Sequence, residues 1–455
     1  MTPTGRAEAS GAAVLRRNRL RSLAGRSGWK VRLLVTVGCW WVFAGLVWWR
    51  AVAQPGGPWT PTTSSAPYRF ALLQLLLLVP WALTLHALRD QRRIAAAAVF
   101  VAWGAVALPL LLAPPMQSHD VFQYAVYGHM QSGHDLNPFV TSPASGDGTW
   151  LGFASWPSTT AVYGPLWLMV VDVLAGWAGG SVVAAVLMIK VLTVILLGLA
   201  GWGLLSLRAD PVAGVAEGSA ATVAFLLLNP LVVTAVVLGG HLDAVLVAAF
   251  VAAMVADQRR RPLLSVACLV AACLVKVYAA PVLAVYLLAL WRRGNRRKAV
   301  AGGAIAVVAS VVAYAPYWAS AATFQALIDA GGMADHSLAG VLGLHLVGLV
   351  LPLAVGIVLV FHPVTVTRTW WAAAVLLGSF FLATSWFLPW YLVGLVALVA
   401  PLTDERLRRA VAVATGTSFI GLPPGWLALQ TALRYLPVWV AWRWPVRTVR
   451  VDSNR

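Results

Sequence analysis

Charge is scarce in this sequence. Only 11% of its 455 residues are Asp, Glu, Lys or Arg, against roughly 25% in an ordinary soluble domain, while 60% are hydrophobic. So much apolar surface cannot be buried by a water-facing fold, which excludes a soluble enzyme. Acids are scarcer still, 15 against 33 Lys and Arg, for a net charge of +18. Cysteine is nearly missing: Cys39, Cys268 and Cys273 lie inside apolar runs without the paired spacing of a metal site, and read as small hydrophobic residues. Heptads, short-period repeats and a soluble domain are also lacking.

What is present is a series of long apolar runs with Lys and Arg clustered between them. That is the positive-inside pattern of cytoplasmic loops and not a nucleic-acid surface, so no nucleic acid is expected as a partner. The 23 Trp residues suit interfacial belts. Arg16, Arg17, Arg19, Arg21, Arg26, Lys30 and Arg32 precede the first run, which makes 1–30 a basic cytoplasmic tail. No small-residue cleavage site follows, so the run reads as a retained anchor and not a signal peptide.

Runs at 31–49, 69–88 and 94–114 predict three crossings, with a Pro/Gly/Ser/Thr loop at 54–67 outside. The third delivers a long polar stretch, 115–162, to the outer face. Four further runs (163–178, 181–206, 219–238 and 241–257) precede Arg259, Arg260 and Arg261, which should be cytoplasmic and so require an odd number of crossings. The segment 163–178 is short, begins Tyr-Gly-Pro and carries Asp172, so it is expected to lie along the outer interface. This places the Gly239–Asp243 turn outside, on the side of Asp120. Residues 262–291, bounded by basic clusters on both sides, must cross twice in short helices turning near Lys276 and Tyr278. Such a turn is tolerated only against protein or a wet cavity. A helix at 299–318, an outer loop at 323–337 with Asp329, Asp335 and His336, a helix at 339–361 and a hairpin at 369–401 turning at 385–391 follow. Residues 410–442 are one crossing or a hairpin around Pro423 and Pro424, and 443–455 is a basic cytoplasmic tail. The expectation is an all-α polytopic membrane protein, one domain over 31–442, with about 12–14 transmembrane helices.

The polar stretch contains no Lys or Arg but holds His119, Asp120, His129, His134, Asp135 and Asp147. Asp120, with the helical pattern Val121, Phe122, Tyr124 and Tyr127 behind it, is placed to be a general base or a helix N-cap. The three histidines lack metal-ligand spacing. His241 and Asp243 begin a helix and suit either a site or the positive end of its dipole. Lys276, in mid-hairpin, is placed to hold an anion or to pair with an acid. Lys190 would serve the same cavity or pair structurally. Trp386, Trp390 and Tyr391 would stack on a sugar, contact a lipid tail or form part of an interfacial belt.

The ordered set Asp120-Val-Phe-x-Tyr124, Asn137-Pro-Phe139, Tyr163-Gly-Pro-Leu166, Asn229-Pro230, Gly240-His241-x-Asp243, Lys276-Val-Tyr278 and Trp386 to Tyr391 resembles the GT-C superfamily. It is most similar to the actinobacterial polyprenol-phosphate-mannose-dependent mannosyltransferases of lipomannan and phosphatidylinositol mannoside synthesis, over about 94–400. The resemblance implies a GT-C-like bundle with its outer catalytic loop at 115–162 and its juxtamembrane helix at 163–178. It implies inverting mannosyl transfer from a polyprenyl-phosphate donor to a glycolipid or lipoglycan acceptor, on the outer face and among membrane lipids. Asp120 would be the catalytic acid, with His119, Tyr124, Asn137, Tyr163, His241, Asp243, Lys276, Tyr278, Trp390 and Tyr391 around the substrates. Asp135 or Asp243 would be a second acid. No cofactor or metal ligand is assigned, and a divalent cation is left open. Arabinofuranosyl transfer by the same fold also remains open. A flippase, transporter or scaffold is the competing class; the missing internal repeat and the long acid-bearing outer loop argue against transport.

Overall fold

The computed structural model describes residues 4–54, 57–60, 67–89, 93–116, 118–146, 148–332, 347–384, 387–420 and 427–443. Among them the chain is helical, with isolated β-bridges and no strand. In order the helices are α1 (Thr4–Val52), α2 (Pro67–Leu88), α3 (Arg93–Leu112), α4 (Asp120–His134), α5 (Pro165–Trp177), α6 (Val182–Ser206), α7 (Ala220–Leu227) and α8 (Pro230–Leu238). Then come α9 (Asp243–Gln258), α10 (Pro262–Val275), α11 (Ala280–Arg292), α12 (Arg296–Tyr314), α13 (Gln325–Gly332), α14 (Val347–Phe361), α15 (Thr369–Ala383), α16 (Leu392–Val399), α17 (Glu405–Thr417) and α18 (Leu427–Arg443). Asp147, Asp335, His336, Trp386, Pro423, Pro424 and the end of the C-terminal tail lie outside the described residues.

The protein is an all-α polytopic membrane protein. Five of the described helices are long and apolar enough to cross a bilayer, and the bent pair α7–α8 makes a sixth. Any larger number of crossings, such as the 12–14 expected, requires the shorter apolar helices. Large apolar side chains on the outward faces of the spans, such as Val101, Trp202 and Val307, are exposed, as lipid-facing residues are.

The interruptions matter most. The run expected as one helix at 219–238 breaks at Asn229-Pro230 and bends by 43°. A residue before proline is driven out of the α region, and the Asn229 carboxamide oxygen accepts from the Leu231 and Val232 amides. A π-helical stretch from Val233 to Leu238 follows. The 262–291 hairpin turns where expected, with Lys276 extended at φ −153° between α10 and a single 3-10 turn. The 369–401 hairpin likewise turns through a 3-10 turn at Pro389–Tyr391.

Chain direction separates two ends. At one, basic residues stitch the loops together: Arg89 pairs with Glu405 at 3.0 Å, Arg292 donates to the His362 carbonyl and Arg293 to that of Val366. At the other lie the start of α4, the start of α5 and the turns at 239–242, 276–279 and 388–391. Helix α5 has 13 residues, a rise of about 20 Å, short of a hydrocarbon core of about 30 Å. Its N-cap, Gly164, sits against the end of α10: a Cβ there would lie 2.0 Å from the Leu274 carbonyl oxygen. The Gly164 amide donates to the Val275 carbonyl at 2.9 Å.

Candidate active site

Asp120 opens α4 and does not cap it. Its residue is 9% exposed, the N-cap position belongs to His119, and its amide donates to the Ser118 hydroxyl at 3.2 Å. The carboxylate faces His241 across the helix break, with 3.8 Å between Oδ2 and Nδ1. That is longer than a hydrogen bond but well within electrostatic reach. Burial raises the Asp120 pKa, and the charge of Lys276 and the Ser118 and Trp156 side chains oppose it.

His241 is fully buried. Its Nδ1 lies 3.5 Å from the Tyr124 hydroxyl, and its ring stacks on Trp390 at 4.3 Å. Among the described residues its buried Nε2 has no hydrogen-bond partner. Burial first, then the Lys276 charge, holds the imidazole well below the ordinary histidine pKa, so it is neutral at pH 7. Tyr124 meets Tyr163 edge-on at 4.9 Å and Trp167 at 5.4 Å, which links α4 to the start of α5.

The third component is an ion pair. Lys276 Nζ donates to both Asp243 oxygens at 3.2 Å, and the Tyr278 hydroxyl donates to Oδ1. The ammonium also lies over the rings of Tyr391, at 4.5 Å, and Tyr278, at 5.0 Å. The salt-bridge alternative for Lys276 is therefore what the structure contains, with an aromatic wall added. Lys276 is 9% exposed and Asp243 fully buried.

Asp120, Tyr124, Tyr163, His241, Asp243, Lys276, Tyr278, Trp390 and Tyr391 thus converge from segments far apart in sequence. His119 is beside them in sequence but half-buried, its ring turned toward Phe122, and burial lowers its pKa. Asn137 is not brought to this cluster. Its oxygen accepts from the Phe139 amide and its nitrogen donates to the Tyr317 carbonyl, an Asx turn that ties the outer loop to the end of α12. Asp135, at the far end of α4 in a left-handed cap, is about 20 Å along the helix from Asp120, so of these two acids it is Asp243 that lies in the cluster. His129 stacks on Trp150 at 4.0 Å, near His134. Trp156 was not singled out in the sequence, where a loop tryptophan carries no mark of its neighbour.

Among the described residues no three His, Cys, Asp or Glu side chains gather as a metal-binding set. Asp243, the deepest acid, is already engaged by Lys276 and Tyr278. The donor set does not fit a divalent cation.

Residues 20–292 match the family model described as alpha-(1->6)-mannopyranosyltransferase, N-terminal domain. Over 145 residues the chain is 37% identical to an alpha-(1->6)-mannopyranosyltransferase of Mycobacterium tuberculosis, covering 30% of this chain and 24% of that protein. Over 183 residues it is 29% identical to alpha-(1->6)-mannopyranosyltransferase A of Corynebacterium glutamicum, covering 39% and 35%. The matched region thus spans about a quarter to a third of these relatives' own length. No solved structure matches. More than half of the chain, including Asp120, His241, Asp243, Lys276 and Tyr278, lies within the family match, and the chain belongs to the alpha-(1->6)-mannopyranosyltransferase family.

Proposed function

We propose that this protein transfers a mannosyl residue, with inversion, from a polyprenyl-phosphate donor to a hydroxyl of a glycolipid or lipoglycan at the outer face of the membrane. The observation that carries the reading is the meeting of Asp120 with His241 and the Lys276–Asp243 pair, all at helix breaks on one end of the bundle. The family match favours mannose over arabinofuranose.

In the reaction, Asp120 accepts the proton of the acceptor hydroxyl as its oxygen forms a bond to the mannosyl anomeric carbon. The bond from that carbon to the phosphoryl oxygen breaks, and polyprenyl phosphate leaves with the electron pair. Lys276, steered by Asp243 and Tyr278, stabilises the growing phosphate charge. Protonation of Asp120 removes one negative charge as the phosphate gains one, so the pocket's net charge is conserved through the step. The engagement of Asp243 by Lys276 and Tyr278 supports a single displacement: it leaves Asp120 as the carboxylate of the cluster available to act as base, with no second one available among the described residues as nucleophile. The unpartnered Nε2 of neutral His241 and the faces of Trp390 and Tyr391 suit a sugar.

A lipid donor is supported by what lies behind the aromatic turn. A cavity of about 490 Å³ runs between α15, α16, α17 and α18, lined by Phe381, Phe387, Leu388, Leu395 and Ala414 with Arg434 at its wall. Arg434 donates to the Thr384 carbonyl at 2.9 Å. The outer placement is supported by the arginine-stitched loops at the opposite end.

In membranes supplied with radiolabelled polyprenyl-phosphate-mannose, Asp120→Asn should lower transfer by about 10²–10⁴-fold. Retained transfer would remove Asp120 as the base. Ser158, exposed in the same loop, supplies the topology test: in a variant without the native cysteines, Ser158→Cys should react with an impermeant maleimide in intact cells. Labelling only after lysis would place the site inside.

A further inference from the structure

Lys190 is a fully buried lysine in the middle of α6, and the reaction above makes no use of it. Among the described residues no carboxylate forms an ion pair with it. Its amine instead donates to two backbone carbonyls, those of Leu110 at 2.9 Å and of Ala113. These stand at the C-terminal end of α3, where the last carbonyls lack helical partners and the helix dipole is negative. A leucine or methionine would fill the space without the cost of burying an amine in an apolar span. The residue type is therefore explained by those carbonyls.

Their position is what connects Lys190 to the site. The end of α3 runs through Pro114 and Pro115 directly into Ser118 and Asp120. The stem of the same lysine packs against the other half of the site. Gly240, at φ +68°, is so close that a Cβ there would lie 3.0 Å from Lys190 Cγ and 2.8 Å from a Val121 methyl. Val121 follows Asp120, and Gly240 precedes His241. One turn further along α6, the Thr193 hydroxyl donates to the Lys190 carbonyl at 2.8 Å and makes a longer contact, 3.3 Å, with the Val236 carbonyl, which accepts from the Gly240 amide at 3.0 Å. Helix α6 thus holds the Asp120 segment by the lysine's amine, and the His241 turn by the lysine's stem and by Thr193.

We infer that Lys190 is a positioning residue, which sets the separation of Asp120 and His241 by pinning the end of α3 against the Gly239–His241 turn. The inference rests on the mannosyl-transfer reading for its catalytic consequence. Its structural content stands apart from that reading. In Lys190→Met the apolar volume is kept and the two carbonyls lose their donor, so the Asp120 segment is released, better hydrated and no longer registered on His241.

Two measurements on purified protein in lipid nanodiscs test this. Hydrogen exchange followed by mass spectrometry needs no turnover: peptides covering 113–124 and 236–243 should exchange several-fold faster in Lys190→Met, while those of α15 and α16 stay unchanged. In the transfer assay kcat should fall at least tenfold with the donor KM within about threefold. The acid limb of the pH profile should move to lower pH as the Asp120 carboxylate gains water. Lys190→Gln, which keeps a shorter donor, should restore part of both. Gly240→Ala, which wedges the same contact from the other side, should reproduce the loss and stands in if Lys190→Met does not fold. Unchanged exchange in both segments would overturn the inference whatever the enzyme's activity. So would a kcat loss that only tracks the folded fraction, with the acid limb unmoved. If wild-type protein transfers no mannose while Lys190→Met still shows faster exchange, the reaction assignment fails and the positioning role survives.

Discussion

The Lys276–Asp243 pair allows stability and catalysis to be separated within one site. At 3.2 Å and an effective dielectric of about 20, two unit charges attract by about 5 kcal/mol, a gross figure from which both desolvation costs must be taken. Removing one partner of a buried pair leaves the other charge uncompensated and typically costs about 3–5 kcal/mol. Lys276→Met should fall toward the lower end, because the Tyr278 hydroxyl still donates to Asp243. Asp243→Asn should cost a comparable amount, since it strands an ammonium that is 9% exposed. The double variant Lys276→Met/Asp243→Asn has no stranded charge. It should be more stable than the sum of the single losses predicts, with a coupling energy on the order of 2–3 kcal/mol. Reversible unfolding in mixed detergent micelles, titrated with SDS, measures all four proteins. Activity should not recover with stability: the double variant still lacks the charge that meets the leaving phosphate, and kcat should stay about 10²–10³-fold down. Additive stability losses would refute the buried-pair reasoning. Recovery of kcat in the double variant would show that Lys276 serves only the fold.

Other consequences are more direct. Asp120 must be ionised to accept a proton, and its pKa is raised by burial, so the acid limb of kcat/KM should lie above the ordinary aspartate value of about 3.9. Trp156→Phe removes a side chain that favours the charged form and should move that limb to higher pH; a pH–rate profile showing no shift, or a downward one, would contradict this. Ala414→Trp should crowd the apolar cavity and raise KM for a long-chain donor more than for a short-chain analogue, and equal effects would show that the cavity holds no lipid chain. Gly164→Ala would drive a methyl group into the Leu274 carbonyl. Since neither backbone can yield cheaply, it should destabilise the protein by about 1–3 kcal/mol and lower kcat by moving Lys276; a neutral result in SDS titration and activity assay would mean that the α5–α10 contact is not maintained.

The helices were largely legible in the sequence because membrane spans announce themselves by hydropathy and by the charges between them. The hairpin at Lys276 was legible for a related reason, since two basic clusters about 30 residues apart leave room only for short helices. The break at 229–230 was not read from hydropathy, because 219–238 is uniformly apolar. Its signal was local, an Asn-Pro pair that cannot continue a helix. Side-chain partners across the bundle were the least legible part. Lys190 could be read as a buried lysine needing a partner, but an acid elsewhere in the chain was a natural guess and the actual partners are main-chain carbonyls. Asn137 differs in another way: its motif suggests a substrate contact, and the fold places it away from the cluster with its carboxamide bonded to Phe139 and Tyr317.

The same physics places most of the clustered site residues at irregularities, with Tyr124 inside α4 the exception. A continuous helix in hydrocarbon satisfies its backbone internally and turns its side chains to lipid or to neighbouring helices. It has nowhere to hold a hydrated anion and a sugar hydroxyl together. Asp120 lies where α3 stops and α4 begins, Tyr163 before a proline-led helix, His241 after a π-helical turn, Lys276 in an extended link, and Trp390 in a 3-10 turn. Each break exposes polar groups that would be costly singly. Gathered at one end of the bundle they satisfy one another, through the Gly164–Val275 backbone bond and the Lys276–Asp243–Tyr278 cluster among others. Healing one break should therefore cost more than the side chain it carries. Replacing Asn229-Pro230 with Ala-Ala, which touches no proposed substrate contact, should straighten α7–α8, draw His241 away from Asp120 and lower kcat. If the variant folded with full activity, the bend would not be what aims that turn.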